Sequence, residues 1–198
     1  MGAALGAAHG AGVVHRDLKA QNVVVVSAGT GGMRVKLVDF GVAKLVAPED
    51  AGLGATSTGL VLGTPLTMAP EQIRGETPDA RTDLYGLGVL LYQLVTGQPP
   101  FLGPTRVELE EQHLHAPVPR ASDRAPVPSG LDAVVARCME KQREARYPDV
   151  GAALKALRRA VRGEGAGTAG QTRALGLYVE ARLAGAGDEH TQIGRAHV

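Results

Sequence analysis

Residues 83–96 restrict the fold of this chain more than any other stretch. Leu84, Leu87, Leu90, Leu91, Leu94 and Val95 recur there at helical spacing, and Val89 and Tyr92 widen the apolar surface. A helix so apolar around its circumference has to be buried on most sides. Thr82 or Asp83 can cap its start, and Gly97 followed by Pro99 and Pro100 ends it. The 198 residues suffice for one domain of ordinary size and a tail. Because aromatics make up only 3% of the chain, with no Trp, the core must be packed from Leu, Val and Ala. The formal net charge of +1 supplies no global field toward nucleic acid or an anionic membrane, so any phosphate binding has to be local.

Around that helix the pattern predicts short elements. Residues 1–10 read as the last turns of a helix that Gly10, Ala11 and Gly12 end. The β-branched run 23–26 and the stretch 33–40 read as two strands joined by a Gly-rich turn, which brings Asn22 and Asp39 together at one end. Residues 42–68 hold no long element. A short charged helix is expected over 104–115, a surface loop over 117–128, and a helix capped by Ser129 with Asp132 that ends near Lys141. Asp149 caps a last helix bearing Val150, Ala153, Leu154, Leu157 and Val161. The single cysteine, Cys138, cannot form an intramolecular disulfide and reads as a core thiol. His113 and His115, spaced i and i+2, do not share a helical face and make a poor metal pair. No apolar run approaches the roughly 20 residues needed to span a bilayer, so a cytoplasmic location is expected for this stretch.

The chemistry concentrates in residues 15–22, His-Arg-Asp-Leu-Lys-Ala-Gln-Asn. A carboxylate can orient a hydroxyl, an ammonium can neutralise phosphate charge, and an amide oxygen can hold a hard cation. That set suits phosphoryl transfer. With Asp39-Phe40-Gly41, Gly63-Thr64-Pro65, Ala69-Pro70-Glu71 and the run Asp83-Leu84-Tyr85-Gly86 following in order, residues 1–160 resemble the large lobe of the eukaryotic-type serine/threonine protein kinases, in a bacterial form.

The resemblance implies an α+β fold, mainly helical, with a small β-hairpin beside the catalytic loop. It implies ATP with Mg2+ or Mn2+ as the nucleotide and metal, and a protein carrying a Ser or Thr acceptor as the partner. Position by position, it makes Asp17 the catalytic carboxylate, Lys19 the γ-phosphate lysine, and Asn22 and Asp39 the metal ligands. Val24 and Val38 match the adenine pocket, while His15 and Phe40 match two members of a stacked apolar column. Thr56, Ser57 and Thr58 fall where activating phosphorylation occurs, with Arg16 to receive the new charge, and Thr64 shapes the acceptor pocket. Glu71 and Arg146 match a buried ion pair, and Asp83 matches a carboxylate that accepts backbone N–H bonds from the catalytic loop.

Two positions depart from the family pattern: Ala20 stands where Pro is usual, and Thr67 where Tyr is usual. No Gly-x-Gly-x-x-Gly loop or strand lysine comes before residue 15, so the small lobe is expected to belong to a longer parent, and little activity is expected of this stretch alone. The expected organisation is a kinase lobe over 1–162, a linker over 163–173 and the start of a further segment over 174–192. Residues 193–198 read as translated sequencing-adapter DNA. Two rival readings stand beside the enzyme. A pseudokinase or interaction module would use the lobe only as a platform, and an unrelated metal-dependent hydrolase would use Asp17 and Asp39.

Overall fold

In a computed structural model that describes residues 1–27, 33–40 and 66–162, the chain forms six α-helices and one β-hairpin. The order is α1 (Gly2–Gly10), β1 (Val23–Ser27), β2 (Met33–Leu37), α2 (Pro70–Ile73), α3 (Ala80–Thr96), α4 (Arg106–His115), α5 (Ser129–Cys138) and α6 (Val150–Arg162). Short 3-10 turns occupy Ala20–Asn22, Ala121–Asp123 and Arg143–Ala145. The expectations placed on Thr56, Ser57, Thr58, Thr64 and residues 163–198 lie outside the described residues.

The apolar run is α3, buried continuously from Thr82 to Tyr92. It begins one turn earlier than the sequence suggests. Asp79, not Thr82 or Asp83, is the cap: its Oδ1 accepts the Arg81 N–H at 2.7 Å while its own N–H donates to Thr82 Oγ1 at 3.1 Å. The helix stops at Gly97, whose φ of 77° is the left-handed turn that a residue without a side chain adopts freely.

Two glycines let other elements come close to α3. A Cβ on Gly86 would stand 3.1 Å from Leu18 Cβ and 3.2 Å from the Leu18 carbonyl oxygen, so the loop before β1 rests directly on the helix. A Cβ on Gly88 would stand 2.6 Å from Met139 Cγ and 2.8 Å from Cys138 Cβ, so the end of α5 rests on it too. Beyond α5 lies α6, and α1 packs against α6 and β2. The hairpin is antiparallel, in a register running from Val23 opposite Leu37 to Ser27 opposite Met33.

The capping box expected of Ser129 and Asp132 does not form. Pro128 is the cap and Ser129 the first helical residue, which frees Asp132 to bind the segment before it. Its carboxylate accepts the Ser122 N–H at 3.0 Å, the Ser122 hydroxyl, and Arg120 Nε at 3.3 Å. Residues 117–128 are therefore anchored rather than draped over the surface, with Ala121 and Ala125 buried. That helix also ends at Cys138, short of Lys141. Asp149 does cap α6, accepting the Ala152 N–H at 2.8 Å. Cys138 is fully buried, and burial pushes its thiol up to about 12, so it is inert at neutral pH.

His113 on α4 is fully buried between Tyr85 and Phe101. The Tyr85 hydroxyl lies 2.8 Å from its Nδ1, and Lys141 Nζ donates to the carbonyls of Gln112 and His113 at 3.2 and 2.9 Å, closing the end of α4. Burial first, and the Lys141 charge second, pull the imidazole down from 6.5 to about 4. Between those values the unfolded chain binds a proton that the folded chain does not, so stability rises with pH across that window, by up to about 3 kcal/mol. In urea unfolding followed from pH 4 to 6.5, His113→Gln should flatten the rise by one proton; parallel curves would refute this assignment. Gly88→Val should lower the unfolding free energy by about 1–3 kcal/mol without changing the denaturant slope. Gly6→Ala, where a Cβ meets nothing within 4 Å, should not.

Candidate active site

Asp83 lies in the first turn of α3, is 1% exposed, and points out of the helix at the loop that follows α1. Its Oδ2 accepts the His15 N–H at 2.8 Å and its Oδ1 the Arg16 N–H at 2.7 Å. A third bond comes from His9, in the last turn of α1, whose Nε2 sits 2.7 Å from Oδ2. One carboxylate thus joins α1, the loop and α3. The joint holds a strained backbone, since Arg16 has φ 66°, a region where a non-glycine residue persists only if its surroundings insist on it.

Next along the loop, Lys19 Nζ lies 2.7 Å from Asp17 Oδ2. The Asn22 amide nitrogen donates to the Asp17 carbonyl at 2.8 Å and reaches Asp17 Oδ2 at 3.3 Å. That commits the nitrogen of Asn22 to Asp17 and leaves the amide oxygen as the end able to hold a cation. The Val38 N–H donates to the Asn22 carbonyl at 3.0 Å, which extends the hairpin pairing by one step and puts Asp39 immediately past it. Asp39 is exposed, with φ 55°. A carboxylate and an amide oxygen are hard donors that suit a divalent cation sharing its other positions with phosphate and water. Among the described residues no group of three or more His, Cys, Asp or Glu could hold a metal by itself.

His15 and Phe40 are in contact. The His15 and Phe40 ring centroids are 4.7 Å apart at an interplanar angle of 46°. His15 Nε2 donates to the Val38 carbonyl at 3.1 Å, which leaves Nδ1 to accept the Asp17 N–H at 3.4 Å. The two-residue period of the hairpin places Val24 and Val38 on one face, both half-buried. Arg16 Nε is buried without a hydrogen-bond partner among the described residues.

Behind the loop lies α2. Glu71, 1% exposed, meets Arg146, 2% exposed, in a two-pronged pair, NH1 to Oε1 at 2.7 Å and NH2 to Oε2 at 2.8 Å. The Thr82 hydroxyl donates to Glu71 Oε1 at 2.9 Å. The rest of the guanidinium is spent on the carbonyls of Glu140 and Arg81, at 2.8 and 2.9 Å. Burial pushes the Glu71 carboxyl up, but the hydrogen bonds and charge of Arg146, with Thr82, outweigh it and hold the group below its ordinary value. The neighbouring Gln72 donates its Nε2–H to the Arg16 carbonyl at 2.8 Å, so α2 also touches the loop. The sequence points to neither His9 nor Gln72, and it marks Thr82 only as a candidate cap, not as a partner of Glu71. The only signal for His9 is a polar residue ending an Ala-rich helix, and for Gln72 its place after Ala69-Pro70-Glu71.

A family profile described as "Protein kinase domain" matches residues 1–156. The chain belongs to the protein kinase family. It is 42% identical over 145 residues to the serine/threonine-protein kinase PknB of Mycolicibacterium smegmatis, covering 73% of this chain and 22% of that protein. Against the serine/threonine-protein kinase Pkn1 of Myxococcus xanthus it is 40% identical over 190 residues, covering 96% of this chain and 27% of that one. The crystal structure of the Mycobacterium tuberculosis PknI kinase domain superposes with a TM-score of 0.58 at 26% identity, over 80% of this chain and 51% of that one. The chain therefore spans about a quarter of the length of these curated relatives.

In this member of the protein kinase family the buried pair behind the loop is open to a direct test. Arg146→Met strands a buried carboxylate and should lower stability by about 3–5 kcal/mol, whereas the double variant Glu71→Leu with Arg146→Met should recover much of the loss in denaturant titrations. Because Glu71 is depressed in the folded state, its contribution is complete above the unfolded value of 4.5 and is lost as pH falls through the folded one. An acid limb unchanged in the double variant would contradict that sign.

Proposed function

We propose that this chain forms the catalytic lobe of a bacterial serine/threonine kinase, which transfers the γ-phosphate of ATP to Ser or Thr hydroxyls of a protein substrate. The observation that carries the reading is the knot at Asp17, with Lys19 Nζ at 2.7 Å from its carboxylate and the Asn22 nitrogen at 2.8 Å from its carbonyl. In this reading Asp17 orients the acceptor hydroxyl and takes its proton as the new phosphorus–oxygen bond forms. Lys19 swings from Asp17 to the γ-phosphate and offsets charge there. Asn22 Oδ1 and the Asp39 carboxylate hold Mg2+ or Mn2+, and a cation so held supplies charge neutralisation on the phosphates. Val24 and Val38 line the adenine site. Arg16 receives a phosphate on the segment that contains Thr56, Ser57 and Thr58, with Thr64 beside the acceptor.

The small-lobe half of the ATP site belongs, in this proposal, to the rest of the parent protein, so the activity is that of the complete protein. Among the described residues no helix is long and apolar enough to cross a membrane. We place the lobe in the cytoplasm, where ATP is available. The test is label transfer from ATP by the complete reading frame, onto itself or a generic basic protein. Asp17→Asn should reduce the rate by roughly 10²- to 10⁴-fold. A complete protein that never transfers label, or an Asp17→Asn variant as fast as its parent, would overturn the assignment.

A further inference from the structure

We infer that Gln72 is a positioning residue, through which α2 holds the peptide group carrying Asp17 in its working orientation. The inference rests on the kinase reading above only for its catalytic consequence; the mechanical link stands on geometry alone.

The peptide between Arg16 and Asp17 follows a residue with φ 66°. Such a conformation costs a non-glycine residue roughly 1–3 kcal/mol and relaxes unless it is held. Asp83 holds one side, accepting the Arg16 N–H at 2.7 Å. It does not hold the Arg16 carbonyl, which belongs to the next peptide and turns with the Asp17 N–H. That carbonyl is gripped by Gln72 Nε2 at 2.8 Å. The other end of the same amide is also engaged, with Oε1 accepting the Ala69 N–H at 3.0 Å. Only the nitrogen can donate to a carbonyl and only the oxygen can accept from an N–H, so the two bonds fix the amide's orientation without ambiguity.

Gln72 is itself well founded. Its neighbour Glu71 is locked to Arg146 by two bonds of 2.7 and 2.8 Å, so the helix that carries Gln72 cannot move without breaking a buried ion pair. The chain of contacts runs from Arg146 through Glu71 to α2, then through the Gln72 amide to the Arg16 carbonyl and Asp17. A displacement of the residues leading into α2 would reach Asp17 by this route.

The competing explanation is that Gln72 merely caps α2 through the Ala69 N–H. Gln72→Glu separates the two, because a carboxylate still accepts from Ala69, and accepts well at a helix start, but cannot donate to the Arg16 carbonyl. The complete protein and this variant should be compared in three measurements: amide hydrogen exchange over residues 15–19, thermal midpoint, and steady-state phosphorylation. The expected result is faster exchange over residues 15–19 with a thermal midpoint lowered by less than Gln72→Met lowers it. The expected kinetic signature is kcat reduced roughly tenfold or more with KM for ATP little changed. The deficit should shrink as pH falls toward the carboxyl's pKa, since the protonated group regains a donor. Gln72→Met, which removes both bonds, should lose thermal stability as well. Unchanged exchange over residues 15–19 in Gln72→Glu overturns the inference whatever the activity. Faster exchange with undiminished kcat overturns the positioning role. Faster exchange in a protein whose parent transfers no phosphate upholds the link and overturns the kinase reading instead.

Discussion

A carboxylate removed from water at the start of α3 is the joint on which the rest depends. Asp83 takes two backbone N–H groups from the loop and a ring nitrogen from His9, and it sits in the first helical turn, where the backbone dipoles favour negative charge. A buried anion is tolerable when donors surround it. In return it specifies where the loop lies relative to the most buried helix of the fold. The left-handed Arg16 and the contact of His15 with Phe40 both follow from that placement.

The second joint is electrostatic and holds α2, which touches the loop through Gln72. Glu71 and Arg146 are 75 residues apart in sequence, and their pairing closes α2 onto the turn between α5 and α6. Tyr85 contributes a ring face 5.0 Å from the guanidinium carbon, so the cation is enclosed by aromatic surface as well as by carbonyls. With Thr82 donating to Glu71 and Asp83 accepting from the loop, two successive residues of α3 serve both joints. The helix is common to both joints.

What was legible in the sequence was local. The apolar period of α3, the β-branched hairpin, the Asp149 cap and the buried thiol of Cys138 are each decided by neighbours within a few residues. The motif residues of the loop were legible because their spacing is short and their types are few. What was not legible depended on choices among chemically equivalent partners. Asp79, Thr82 and Asp83 all have the side chains of a helix cap, and only the fold shows that Asp79 caps while Asp83 faces the loop. Asp132 looked like half of a capping box, yet Ser122 was within its reach. His9 and Gln72 find their partners 74 and 56 residues away, beyond any periodicity.

The loop meets α3 at Gly86, where there is no side chain to mediate the contact and the Leu18 main chain is itself part of what a Cβ would strike. The separation between the loop and the hydrophobic interior is therefore set by the Leu18 Cβ and carbonyl against the bare main chain of α3. Substitutions among the leucines and valines elsewhere in the interior would change how firmly the fold holds together, while the ruler that spaces the loop from α3 keeps its length.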